Sequence, residues 1–372
     1  MNIKQHIAIL VPGGIGKHHY IPALIDLLNR LSTVYILHLY SFSPTDIHPS
    51  LNSNNISAVY PPQIIRWNKL FILIFFLWRI WKDHVHINFS AVHGFWVIAQ
   101  GFTAVLIGKI LKIPNIMTLP GGDIVAIPSI RYGSLENFLN KKIVTWCCSA
   151  ADCTVLLTRF QQNTMKQNKI VCRQSVIIPY GVNTSKFLFQ PHLLATPIRF
   201  IFIGNLNKVK DPATLLKTFF LLTQRFDCRL TVVGYDTLDG EMQEYAQSLG
   251  IGDNIEWKGK LEHDALVSEL HGSDFLLTTS LYEGEGVVVL EAFASGVVVV
   301  GTEVGLLSDI DDKNFTVPPG DVEGLAKKIE ALLAQPEHLH EMRLKNRMYA
   351  EQYSAEWTFL QYKKIYTELI DR

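Results

Sequence analysis

Short uninterrupted apolar runs alternate with longer stretches of helical spacing along the chain. The first run, His6–Val11, closes on Pro12, Gly13, Gly14, Ile15 and Gly16. Tyr20, Ala23, Leu24, Leu27, Leu28 and Leu31 then recur at helical period, which predicts strand, glycine turn and helix. Further strands are expected at 34–40 and 84–88, a helix at 95–111, and a strand at Asn115–Leu119 that ends on Pro120, Gly121, Gly122 and Asp123. Strand, polar helix and strand follow across 154–178. Such alternation predicts a parallel sheet with helices on both faces.

Residues 187–197 have no clear period and contain Pro191 and Pro197, so they read as a linker. A second series then begins at Ile198–Ile203, turns at 204–211 and continues through a helix at 212–224. Strands at 229–233, 255–257, Phe275–Thr278 and 297–300 are interleaved with a helix at 241–249 and a short small-residue helix opened by Glu291. A turn at 320–326 feeds a helix to about Ala334, and the tail from Glu337 is helical. Tyr353, Trp357, Tyr362 and Tyr366 along that tail require a surface to pack against. The division is therefore a first α/β domain at 1–187, a second at 198–350 and a terminal helix at 351–372.

The most hydrophobic stretch is WNKLFILIFFLWRIW at 67–81. Its apolar core is far shorter than the roughly 20 residues a membrane-spanning helix needs. A helix buried beneath the next strand accounts for it; so does an interfacial helix, because Lys69, Arg79, Lys82 and three tryptophans frame the run.

Composition narrows this picture. At 372 residues the chain can bury two cores of ordinary size. Lys plus Arg equals Asp plus Glu at 34 each, so no global positive charge argues for nucleic acid. The five cysteines lack a paired C-x2-C spacing and read as free thiols of a reducing cytoplasm. The first residues hold too few apolar positions for a secretory segment.

Two stretches carry candidate chemistry. In TTSLYEGEGVVVLEAFASG, 278–296, Glu283 stands in a glycine loop and Glu291 follows after seven residues. A glycine loop feeding a helix exposes backbone N–H groups suited to phosphate. In GNLNKVKDP, 204–212, a strand end leads through Asn205, Lys208 and Lys210 to a proline at a helix start, near the place where open α/β sheets bind ligands. A solvated loop lysine and a glutamate placed for a helix dipole are the plainer explanations of each residue alone. Paired carboxylates also suit a metal or glycoside hydrolysis, but no histidine or third acidic ligand accompanies them. The glycines after the first strand lack the G-x-G-x-x-G spacing, and no acidic residue closes the second strand, which disfavours a dinucleotide site.

Six segments in order carry a resemblance over nearly the whole chain: the glycine loop 12–16; 118–123; 176–183 with Phe187; 202–206 with Lys210; Glu283 with Glu291; and 317–321 with Leu325. They resemble the retaining glycosyltransferases of family 4, which have the GT-B fold. The resemblance implies two Rossmann-like parallel-sheet domains facing across a cleft, with the terminal helix returning to the first. It implies transfer of a sugar from a nucleotide-sugar donor such as a UDP-sugar, held by the second domain. The acceptor, a glycan or lipid-linked sugar in surface polysaccharide or glycolipid synthesis, would be held by the first. No metal or other cofactor is implied.

By the same resemblance Glu291 binds the donor ribose, and Lys210 holds the diphosphate and stabilises its leaving charge. Glu283 contacts the transferred sugar, and the amides of Glu285, Gly286 and Val287 line sugar and phosphate. Gly13, Gly14 and Gly16 let the first domain approach the diphosphate. The sequence departs from the pattern in two places: Asn205 stands where the family commonly has arginine, and Pro120 where it often has histidine. Lys208 is a substitute for the first, and Asp123 joins Glu283 and Lys210 in the candidate catalytic set. A nucleotide-sugar epimerase of the same fold and a degenerate binding subunit are the rival readings. The location expected is cytoplasmic, with peripheral contact at the inner membrane face.

Overall fold

The computed structural model describes residues 4–13, 15–16, 21–43, 47–51, 53–65, 68–194 and 196–372. It divides into two compact units, Met1–Tyr180 with Ala355–Arg372, and Gly181–Ser354.

Unit 1 holds seven parallel strands: β1 (His6–Val11), β2 (Ile36–Ser41), β3 (Ile56–Val59), β4 (Ala91–Phe95), β5 (Asn115–Leu119), β6 (Cys153–Leu156) and β7 (Ser175–Ile177). Their order is 3-2-1-4-5-6-7. Helices cover both faces, which is why β4, β5 and β6 are buried along their full length rather than at alternate residues. The chain leaves β1 toward one edge and β4 toward the other, so the loops after these strands part at the carboxyl end of the sheet.

Unit 2 repeats this order in six strands, 10-9-8-11-12-13: β8 (Ile198–Ile203), β9 (Cys228–Val233), β10 (Ile255–Gly259), β11 (Phe275–Thr278), β12 (Val298–Thr302) and β13 (Thr316–Val317). Here β8 and β11 occupy the places of β1 and β4.

The tail forms two helices, Pro336–Gln352 and Ala355–Ile370. The second belongs to unit 1, and its aromatic face meets the sheet through a buried polar chain. Tyr366 Oη lies 2.7 Å from His93 Nδ1, His93 Nε2 lies 2.8 Å from Thr118 Oγ1, and Thr118 Oγ1 lies 2.9 Å from Tyr362 Oη. Burial lowers His93 to about 3, so it is neutral and its two ring nitrogens can serve one donor and one acceptor.

Several elements differ from expectation. Residues 84–87 are not a strand but the last turn of the helix Lys69–Ile87, which ends at left-handed Asn88 (φ 59°). The strand follows at β4. The expected helix at 95–111 starts only at Phe102, because Trp96 (φ 64°) and Ala99 (φ 70°) turn the chain back over β4. Gly94 permits this turn: a Cβ there would lie 2.8 Å from Gln100 O. The stretch read as a linker packs onto unit 2: Phe187 is buried in its core, Gln190 N donates to Ser295 O, and His192 Nε2 lies 2.7 Å from the fully buried Asp274.

The helix Lys69–Ile87 is buried on one side only. Ile72, Phe76 and Ile80 enter the core, while Leu70, Phe71, Ile74, Trp78, Trp81 and Val85 are each at least 50% exposed and form a stripe at three- and four-residue spacing. No helix among the described residues is long and apolar enough to cross a membrane.

Candidate active site

The loops after β8 and β11 are tied together before any ionic group is considered. Leu281 N donates to Val209 O at 2.8 Å, and Thr279 Oγ1 donates to Lys210 O at 2.9 Å. Lys210 N in turn donates to Asn207 O, a turn that throws the lysine side chain back over Gly204. A Cβ at Gly204 would press on Lys210 Cε at 3.2 Å.

This framework brings Lys210 and Glu283, 73 residues apart, into one ion pair. Lys210 Nζ lies 2.5 Å from Glu283 Oε1, and Ser280 Oγ donates to the same oxygen at 2.6 Å. Both charged side chains are largely covered, so the attraction is less screened than at an open surface.

Glu291 required a correction. It does not open its helix, which begins at Val287 and runs to Ser295, so that the apolar run 287–290 is helical and Glu291 lies in the second turn. Left-handed Gly286 (φ 87°) caps that helix without a side-chain bond; its carbonyl accepts from Val289 N at 2.8 Å, and the Val287 amide has no hydrogen-bond partner among the described residues. Glu291 is buried, and desolvation raises its carboxyl to about 7, with the Lys186 ammonium acting weakly the other way. Lys186 is itself paired to Asp264 at 2.7 Å.

The glutamate loop depends on a glycine that sequence reasoning passed over. Gly305, after β12, is left-handed (φ 57°), and a Cβ there would lie 2.5 Å from Glu285 O and 2.7 Å from Glu283 Cβ. Leu306 N donates to that same Glu285 carbonyl at 2.7 Å. Glu285 is buried, whereas Gly286 and Val287 are half-buried at the helix start. Asn205 is exposed, and its Oδ1 accepts from Tyr235 N at 3.2 Å, joining the ends of β8 and β9. Lys208 is exposed.

The remaining candidates lie in unit 1. Gly13 and Gly16 follow β1, with Gly16 bridged to Ile47; Gly14 lies outside the described residues. Asp123 is buried in a turn after β5, where its Oδ1 accepts from Val97 N at 2.9 Å. Burial raises its carboxyl to about 6 against the opposing pull of backbone N–H groups, Val97 first among them. Asp123 thus holds the backbone turn of 96–101 in place. Gly305 and Lys186 were missed because each acts through a neighbour distant in sequence, whereas Ser280, three residues before Glu283, was a local signal in the TTS that was not used.

The family model for glycosyl transferases group 1 matches residues 184–354. The chain is 30% identical over 302 residues to the N-acetyl-alpha-D-glucosaminyl L-malate synthase of Bacillus anthracis, a stretch covering 77% of this chain and 75% of that one. Among solved structures, sucrose-phosphate synthase from Thermosynechococcus elongatus matches with a TM-score of 0.81 at 19% identity, over 99% of this chain and 100% of that one. Anabaena HepE in complex with UDP and glucose matches with a TM-score of 0.78 at 14% identity, over 98% and 100%. At these identities the structural likeness speaks for the fold.

Proposed function

The chain belongs to the group 1 glycosyl transferases, and we propose that it moves a sugar from a nucleotide-sugar donor to a glycan or lipid-linked acceptor with retention of anomeric configuration. The observation that carries this reading is the Lys210–Glu283 pair at the carboxyl end of unit 2, on a sheet whose neighbouring loops part there. A diphosphate competes for the Lys210 ammonium with more negative charge than Glu283 offers. The released carboxylate then accepts hydrogen bonds from sugar hydroxyls. Lys210 stabilises the charge that grows on the departing diphosphate, and the open amides at Gly286 and Val287 add to it. Glu291 receives the ribose hydroxyls. Because these groups offset the diphosphate charge, transfer is expected without a divalent metal ion. UDP in the structurally similar HepE makes a uridine nucleotide the first donor to try.

The test is transfer activity with a panel of nucleotide sugars. Lys210→Ala and Glu291→Ala should each lower kcat/KM by roughly 10²–10³, the range of a lost charge-stabilising group, while the circular dichroism spectrum stays unchanged. Near-normal turnover in both variants would sink the assignment. Epimerised donor in the absence of any acceptor would replace it with the epimerase reading.

The lipid-linked form of the acceptor is supported by the exposed stripe on the helix Lys69–Ile87. Lys82 lies 5.3 Å from the Trp78 ring centroid, placing a cation beside the aromatic face as at an anionic bilayer surface. Cosedimentation with phosphatidylglycerol vesicles should fall in Trp78→Glu. Vesicle binding absent at both low and high salt would remove this part of the reading.

A further inference from the structure

A pocket of about 520 Å³ opens at the other end of the unit 1 sheet. Asn115, Asp152 and Gln174, at or just before the first residues of β5, β6 and β7, line it, so it lies away from the carboxyl-end loops that hold Gly13 and Asp123. Among side chains its wall carries four cations, Lys109, Lys112, Arg173 and Arg372, and one carboxylate, Asp152.

That carboxylate is already committed. It accepts from Asn115 N at 3.1 Å and Asn115 Nδ2 at 2.6 Å, and it pairs with Arg173 at 2.8 Å and Lys109 at 3.7 Å. Lys112 and Arg372 form no ion pair among the described residues. The position of Lys112 is informative in itself. It ends the helix Phe102–Leu111 in a left-handed conformation (φ 56°), where glycine is the easier residue, yet the chain places an ammonium there. Concave, like-charged walls focus the field of such groups and raise the local concentration of counter-ions.

We propose that this pocket binds a phosphate-bearing anion, with Lys112, Arg173 and Arg372 as its charged contacts and Asp152 holding Arg173 and Lys109 in position. The volume exceeds that of a bare phosphate and leaves room for a substituent, within the range of small-molecule sites. Such a phosphate comes either from a soluble compound or from a lipid headgroup, and the site is independent of the proposed donor site in unit 2.

Equilibrium dialysis of labelled inorganic pyrophosphate tests it. The protein is the full chain carrying Lys210→Ala, which takes the proposed diphosphate contact out of the measurement. One saturable equivalent is expected, weakening at least tenfold in Lys112→Gly and in Arg173→Gln. Lys112→Gly removes the charge with the residue best suited to that backbone, so its loss of binding is not a loss of fold. No saturable binding, or affinity unchanged in both variants, overturns the proposal. Given binding, phosphatidylglycerol vesicles identify the source. Vesicle association that pyrophosphate displaces and Lys112→Gly weakens assigns a lipid phosphate, whereas vesicle association unmoved by either, or absent, assigns a soluble one.

Discussion

In unit 1 the described residues after the two central strands β1 and β4 include Gly13 and Gly16 after the first and positive-φ Trp96 and Ala99 after the second, with Asp123 accepting from a backbone amide. In unit 2 the loops after the corresponding β8 and β11 bring a lysine and a glutamate into a covered ion pair, with a second glutamate buried in the second turn of the helix that follows. The strand order is the same. What differs among the described residues is the use of the charged side chains: in unit 1 Asp123 accepts from a backbone amide, whereas in unit 2 Lys210 and Glu283 pair with each other and a charged ligand can replace either partner. One topology therefore offers a shape at one site and a charge at the other.

The strongest way to break that contrast is Gly305→Ala. The added Cβ meets Glu285 O and Glu283 Cβ at distances no side chain tolerates, on a backbone at φ 57°. Strain and overpacking together should cost on the order of 3 kcal/mol, read as a lowered urea midpoint, with transfer activity lost because Glu283 is displaced. An unchanged midpoint would mean that the glutamate loop is free to relax and that its ion pair is not held by packing.

Buried carboxyls in both units give a pH signature, and that of Glu291 reaches to higher pH than that of Asp123. The Glu291 carboxyl is raised from 4.5 to about 7 by burial. Between those values the unfolded chain is ionised while the folded chain keeps its proton, so stability is greatest below about 4.5 and falls as pH rises toward 7. The full drop is on the order of 3 kcal/mol. Urea unfolding should show the slope in the parent, and Glu291→Gln should remove its upper part, between about pH 6 and 7, while the part below that belongs also to Asp123.

How much of this was legible in the residues depends on how local the cause is. β1, β5, β8 and β11 were readable to the residue because each is a short apolar run closed by glycine, proline or threonine. β4 was missed because it carries His93 and Gly94, whose burial is explained only by Thr118 and by Tyr366 from the far end of the chain. The helix start at Val287 was hidden because three β-branched valines look like a strand unless Gly286 is recognised as a cap. The order of candidate site residues along the chain was plain, yet the pairing of Lys210 with Glu283 needed the placement of β11 beside β8.

Asp123 separates a backbone role from an ionic one in unit 1. Asp123→Asn keeps the acceptor for Val97 N and removes a buried charge, so stability should hold or rise slightly. Asp123→Ala leaves that amide unpaired and should cost about 1–3 kcal/mol. Thermal and urea midpoints of the two variants decide the matter. If Asn were as damaging as Ala, the carboxylate charge itself would be needed and unit 1 would resemble unit 2.

The smallest effect on the fold is expected at Gly13, and it is the sharpest test of the idea that unit 1 offers shape. A Cβ there would meet Ser43 Cβ at 3.4 Å, an ordinary contact, and no left-handed backbone is involved. Gly13→Ala should therefore change stability by no more than about 0.5 kcal/mol. If the bare backbone of this loop receives a ligand, the same methyl stands in the ligand's way and raises KM several-fold with the urea midpoint unmoved. Unchanged KM and unchanged stability together would leave Gly13 as a turn residue and confine donor recognition to the ionic site of unit 2.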